Sequence, residues 1–369
     1  MLEHFDYDAT GNRTAAPLGG AAQSYAYPST SHRLQSINGI SRDYDNVGNT
    51  TQRDGLNYRY NGRNRLSQVS MGRTTYYSNA YNARGEREEK SLAYGMTVQR
   101  FVYDEAGRLI QTGNVPPVGL TRTLVPEQRL LWLDDQLVGV KIKATTGAYA
   151  GELLYAHTDH LGTPRALSRP SVSNSVVWRW PLETSAFGQH PAQTDPDGDG
   201  QVLTFNLRYP GQYFDSESGL HYNYFRDYEA ATGRYIESDP IGLRGGINTY
   251  AYASVSPLLY SDSRGETAAA VGLCFIPGVG WVSCAAAAAG TAAAAGLCYL
   301  TGACEAAGRA LSDFYDWCTA GEEESRCRRA NQECIDECIH LIGIDGRMGQ
   351  SSSFLKCKAE CLIRKGCNA

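Results

Sequence analysis

Two phrases late in the chain hold the residues best suited to chemistry. Asp239-Pro240-Ile241-Gly242 and Asp262-Ser263-Arg264-Gly265-Glu266 each place an aspartate at the head of a turn. Two carboxylates folded against one another share a proton, so that one acts as general acid and the other as base. The second phrase has Ser where the first has Pro. It also adds a third carboxylate, Glu266, able to disturb the shared proton. The plain alternative is that both phrases are turns closing a β domain.

Other candidates are weaker. Asp195-Pro196-Asp197-Gly198-Asp199-Gly200 alternates carboxylates and glycines as calcium loops do. Such a loop also needs a bidentate acid further on, and Gln201 to Arg208 supplies none, so a solvated turn is expected. His157, Asp159 and His160 are close in sequence, and His221 is a further imidazole. A strand puts His157 and Asp159 on one face and His160 on the other, which is poor ligand geometry. These histidines are expected to hydrogen-bond within the fold, and no metal or cofactor is expected.

Cysteines are confined to the C-terminal part. Cys334 and Cys338 are four apart, as are Cys357 and Cys361, so each pair shares a face if helical. Sequence alone leaves every pairing open. An antiparallel hairpin of helices over roughly 326–342 and 352–365 nests them as Cys338–Cys357, Cys334–Cys361 and Cys327–Cys367. Zinc held by thiolates is the rival reading. Disulfides imply an oxidising destination, so the chain is expected to be exported, secreted or displayed at a cell surface, although it shows no signal peptide. His340 is the only histidine of this part, with no nucleophile–base arrangement around it.

What must position these groups is a repeat. Tyr7-Asp8-Ala9-Thr10-Gly11-Asn12 returns as Tyr44-Asp45-Asn46-Val47-Gly48-Asn49, as Tyr81-Asn82-Ala83-Arg84-Gly85-Glu86 and as Tyr103-Asp104-Glu105-Ala106-Gly107-Arg108. Degenerate copies run from Tyr213 to Gly219 and from Tyr228 to Gly233, and a companion phrase fills the gaps at Tyr58 to Val69. Tyr favours strands, and Asp or Asn followed by Gly supplies a turn with positive φ, so each copy is a β-hairpin. Recurrence of one supersecondary unit predicts a mainly β fold of antiparallel hairpins followed by a small helical C-terminal region. Turns are expected at Gly48, Gly85 and Gly107, a loop over 112–130, and two strands around Asp134-Asp135-Gln136.

The phrase resembles the YD repeat of RHS proteins, which also builds the shell of teneurins and toxin-complex cocoons. The likeness sharpens at Tyr155 to Arg165, at Val177-Trp178-Arg179-Trp180 and at Phe205 to Tyr228. It is most specific over Gly233-Arg234-Tyr235 to Ser238-Asp239-Pro240-Ile241-Gly242-Leu243 with Gly245 to Tyr252, which is similar to the RHS core signature. The resemblance covers roughly residues 1–265. It implies a structural and delivery role, presenting or enclosing a variable C-terminal effector, with a cognate immunity protein and the rest of a longer shell as partners. A teneurin-like adhesion or carbohydrate- or protein-binding module is the alternative. In the family, two Asp-Pro-x-Gly phrases form an aspartyl autoprotease. Carried onto Asp239 and Asp262, this implies a cut after Glu266, although Glu stands where Leu usually precedes the cut.

Composition divides the chain. Twenty-two of 24 Tyr lie at or before Tyr260, and all 11 Cys lie from Cys274 onward. The expected parts are a shell fragment (1–150), an RHS core domain (151–265), an apolar Ala/Gly-rich helical segment (266–304) and a Cys-rich helical hairpin (305–369). The third part is free of charge from 267 to 304, and membrane contact is one reading of it. The net charge of −5, with no basic cluster, speaks against nucleic acid as a partner. The first residues fall inside a repeat, which suggests the end of a longer RHS chain.

Overall fold

The computed structural model describes residues 4–18, 21–92, 97–115, 124–144, 146–181 and 185–266, the backbone of 269–276 and 280–286, and Cys361. Two compact units divide the chain, Met1–Ala289 and Gly290–Ala369. The first is built on a 17-stranded antiparallel sheet. From Asp6–Tyr7 to Ser175–Arg179, each strand pairs with its neighbours in sequence.

The four full copies make their turns with the same device, as Asp8 does with the N–H groups of Thr10 and Asn12. Asp45 Oδ1 accepts the backbone N–H groups of Val47, Gly48 and Asn49 at 3.1, 2.9 and 2.8 Å. Asn82 does so for Arg84 and Glu86, and Asp104 for Ala106 and Arg108. The glycine is required where a positive φ and close side chains leave no room for a Cβ. Gly48 has φ 99°, and a Cβ built there would lie 2.6 Å from the Tyr250 hydroxyl. Two further turns follow the same plan. Asn61 holds the N–H groups of Arg63 and Arg65, with Asn64 at φ 56° in the glycine's place. Asp159 holds those of Leu161 and Thr163. Asn tolerates the left-handed region, which is why the companion phrase makes a full copy of the turn.

The register is equally regular. Tyr7 pairs with Arg13, Tyr44 with Thr50, Tyr60 with Leu66, Tyr81 with Arg87 and Tyr103 with Leu109, each beside a register shift. One bulge per repeat adds twist and bends the sheet. The aromatic then ties its repeat to the one before. Tyr60, Tyr81 and Tyr103 donate their hydroxyls to the carbonyls of Thr50, Leu66 and Arg87 at 2.8, 2.7 and 3.2 Å. Trp132 does the same with its Nε1, reaching Leu109 at 2.9 Å. The four accepting residues are all buried.

A smaller four-stranded sheet, Tyr213–Asp215, Leu220–Asn223, Arg226–Glu229 and Arg234–Tyr235, packs against the repeats. Phe101, Trp178 and Trp180 meet Tyr222, Tyr228 and Tyr252 in one apolar cluster; Tyr58, Val69 and Tyr77 meet Leu220 and Ile236 in another. Buried charge joins the two layers as well. Arg42 grips Glu229 through both oxygens at 2.6 and 2.9 Å, and Arg53 joins it. Arg87 and Lys90 meet Asp215 in the same manner.

Two expectations need correction. Residues 112–115 and 125–130 are not loop but parts of the strands Leu109–Val115 and Val125–Leu133, which pair through Gln111 to Asn114. The apolar segment is not helical where it is described. Ala269–Ile276 and Gly280–Ala286 pair as antiparallel strands, and Ala269–Ala270 pairs with Tyr260–Ser261. Val271, Phe275, Ile276, Trp281 and Val282 favour strands, and Pro277-Gly278 breaks the run. Among the described residues no helix is long and apolar enough to cross a membrane. Cys361 is buried and disulfide-bonded. The remaining cysteines of the nested hairpin and its two helices lie outside the described residues.

Candidate active site

The structure brings Asp239 and Asp262 together on a residue that the sequence reading had not singled out. Arg226 Nη2 lies 3.0 Å from Asp239 Oδ2 and 3.2 Å from Asp262 Oδ2, so one guanidinium nitrogen serves both carboxylates. Arg226 is itself fixed, its Nε donating to the Gly265 carbonyl and its Nη1 to that of Thr249. All three side chains are buried. Arg226 opens a strand of the smaller sheet, and its ring-face contact with Tyr235, 3.7 Å to the centroid, sets the plane of the fork.

Each aspartate has further anchors. Asp239 Oδ1 accepts the Ile241 N–H at 2.9 Å, and its own N–H donates to Thr249. The Tyr235 hydroxyl donates to Asp262 Oδ2 at 2.9 Å, and Asp262 Oδ1 accepts the N–H of Glu266 at 3.1 Å. Asn223 Nδ2 donates to the Asp262 carbonyl at 2.7 Å. Burial pushes the Asp239 carboxyl up to about 6, with Arg226 opposing and the nearby Asp262 and Glu266 adding to the rise. Glu266 is also raised, by burial and then by Asp262.

The segment between the aspartate and Glu266 is threaded past glycines. A Cβ on Gly211 would lie 1.9 Å from the Ser263 carbonyl oxygen. A Cβ on Gly245 would meet both Asp239 Oδ2, at 2.4 Å, and the Glu266 carbonyl oxygen, at 2.9 Å. The absent side chain of Gly245 therefore lets a carboxyl of raised pKa and a peptide carbonyl face one another. A cavity of about 220 Å³ opens beside Asp239, lined by Asn49, Arg63, Arg65, Phe225 and Glu237 among others.

Other sequence candidates are dispersed. His157 bonds Ser168, and His160 bonds the Leu258 carbonyl. His221 bonds Gln212 and is pushed down to about 3 by burial and by Arg208. Asp159 is spent on its turn and on Arg165. Ligand oxygens of Asp195, Asp197 and Asp199 do lie within 4.8 Å of one another, on a partly exposed loop. Arg226 lies in the Phe205 to Tyr228 stretch of the resemblance, at the head of the strand Arg226–Glu229, but nothing in its local sequence marks its role. Only the fold shows it facing two aspartates that follow it.

The meander of bulged YD hairpins, closed by a small core with paired carboxylates, defines a repeat-shell protein. No family profile matches the chain. It is 30% identical over 299 residues to "Double-stranded DNA deaminase toxin A" of Burkholderia cenocepacia, which covers 72% of this chain and 19% of that protein. Over 263 residues it is 30% identical to "Toxin protein Tse5" of Pseudomonas aeruginosa, covering 63% and 19%. Among solved structures, the Tc holotoxin pore of Photorhabdus luminescens shares its fold with a TM-score of 0.55 at 18% identity, covering 72% of this chain and 13% of that one. A TcdB2–TccC3 complex without its hypervariable C-terminal region matches equally, at 0.55 and 19%. The chain is an RHS-type protein, and it spans about a fifth of the length of these two curated relatives.

Proposed function

We propose that this chain is the releasing end of a toxin-delivery scaffold, in which repeats and core hold a variable C-terminal segment and cut it free after Glu266. One observation carries the reading: Asp239 and Asp262 sit on a single guanidinium nitrogen, with the Glu266 carbonyl oxygen and Asp239 Oδ2 facing the same glycine gap.

The chemistry follows from the placement. Asp262 takes a proton from a water molecule, and the resulting hydroxide adds to the Glu266 carbonyl carbon. Asp239, kept protonated by burial below about pH 6, gives its proton to the departing Thr267 nitrogen. The C–N bond breaks, a carboxyl group forms on Glu266 and an amine on Thr267, and the dyad still holds one proton. Arg226 steadies the negative charge throughout. The likeness to toxins supports an effector role for the released segment, export of the whole protein, and partners that include an immunity protein and the rest of a longer shell.

Mass spectrometry of purified protein tests this. Two pieces that separate under denaturing conditions and meet at the 266–267 bond are expected, with Asp239→Asn and Arg226→Met both restoring one intact chain. An uncut wild-type chain overturns the cleavage. If Glu266→Leu then starts it, the third carboxylate was the obstacle. Among the described residues no specific surface favours the adhesion alternative.

A further inference from the structure

Beside the candidate dyad stands a second pair of acids, Asp227 and Glu237. Both side chains are buried. They lie on adjoining segments: the Asp227 N–H donates to Glu237 Oε2 at 2.8 Å, and the Ile236 N–H donates to the Asp227 carbonyl at 3.0 Å. Each carboxyl group feels the other. Asp227 Oδ1 and Glu237 Oε1 are buried and meet no N–H or O–H of the protein. Two bare anions at this depth would repel strongly, and a proton on one of them removes the repulsion.

We propose that Asp227 and Glu237 hold a single proton between them and act as a pH-gated latch that positions Arg226 and Asp239. The placement gives the reason. Asp227 follows Arg226 directly, and Glu237 stands two residues before Asp239 in the cavity wall that both residues share. Holding Asp227 to Glu237 therefore holds the guanidinium to the aspartate it serves. When the proton leaves, the two anions push these segments apart and Arg226 loses its hold on Asp239. The catalytic consequence rests on the cleavage reading above, whereas the latch itself does not.

The surroundings leave this pair to titrate. The cations facing it are Arg65, Arg87 and Arg226, and the anion is Asp215, which Arg87 and Lys90 hold below the usual range against its burial. Tyr60, Tyr77, Tyr81 and Tyr222 also face it, all pushed up by burial. None of these changes charge near neutrality. Burial raises Asp227 to about 7, with Asp215 adding to the rise and Arg87, Arg65 and Glu237 opposing it, and burial raises Glu237 well above the ordinary carboxylate value, with Asp227 adding to it. Asp239 and Glu266 are the other raised acids close by.

Folded-state values above unfolded ones fix the sign. Stability lent by the shared proton is complete below the ordinary carboxylate range and drains away as pH rises through the pair's raised values. The test uses the full chain carrying Asp239→Asn, which removes both self-cleavage and the titration of Asp239. Denaturant midpoints are compared with and without Glu237→Gln from about pH 5 to about pH 8. The Gln variant should gain on its parent by about tenfold in the folding equilibrium per pH unit across the part of that range below the pair's value. A difference that does not change with pH overturns the latch. Should Glu237→Gln fail to fold, Asp227→Asn takes its place. Should both fail, site-resolved 13C carboxyl shifts of the unmutated chain decide: a protonated carboxyl at neutral pH supports the latch, and two ionised ones reject it. In a chain that cuts itself, the alkaline limb of the rate profile should also move upward in Glu237→Gln. A chain that never cuts removes the cleavage reading and leaves the midpoints to judge the latch.

Discussion

The repeat sheet and the small sheet it covers are stabilised at different ranges along the chain. In the repeats, each of these turns is closed by an aspartate or asparagine four residues or fewer from its partners, and the hydroxyls of Tyr60, Tyr81 and Tyr103 reach carbonyls of the previous repeat. In the small sheet, the decisive contacts join residues that are far apart in sequence: Arg42 and Arg53 with Glu229, and Arg87 and Lys90 with Asp215. Local contacts repeat and share the load, whereas these distant ion pairs are buried and each carboxylate holds two cations. Damage should therefore be graded in one layer and abrupt in the other.

The most damaging change is expected at Glu229. Glu229→Gln strands two buried guanidiniums and should cost about 3–5 kcal/mol, read from denaturant midpoints. A loss no larger than that of a turn mutation would erase the contrast. The same carboxyl gives an acid limb. Burial alone would raise it, but Arg42 and Arg53 outweigh burial and hold it well below the ordinary value. Its contribution is thus present above the unfolded carboxylate range, about pH 4, and is lost as pH falls below it. Glu229→Gln should flatten that limb in an acid titration followed by circular dichroism.

Next in size is Gly48→Val, which forces a β-branched residue to φ 99° against the Tyr250 hydroxyl and Ser238. About 1–3 kcal/mol is expected, with loss of order confined to the neighbouring hairpins in hydrogen exchange. Smallest is Tyr81→Phe, which removes a single hydroxyl from the Leu66 carbonyl and should cost about 0.5–1.5 kcal/mol. Tyr60→Phe with Tyr81→Phe should come close to adding, because each clamps a different pair of repeats. Strong coupling between them would show that the repeat layer too behaves as one cooperative block.

Legibility in the sequence follows the same division. Turns at Gly48, Gly85 and Gly107 could be read because the residues that make them are neighbours. The copy at Asn61–Arg65 was harder only because Asn64 replaces the glycine. Arg226 could not be assigned a role, since its partners come 13 and 36 residues later and converge only after the small sheet forms. The Asp227–Glu237 contact was hidden similarly, by strand pairing across a turn. At 269–286 the small residues suggested helix, whereas β-branched and aromatic neighbours and the pairing with Tyr260–Ser261 decide for strand.

The nearest-neighbour order of the 17 strands also has a mechanical meaning. A force applied along the chain from one end loads the hydrogen bonds of a single strand pair at a time, so the sheet unzips like a seam. Opened in this way, the sheet yields one strand pair at a time to a steady pull, whatever its resistance to denaturant.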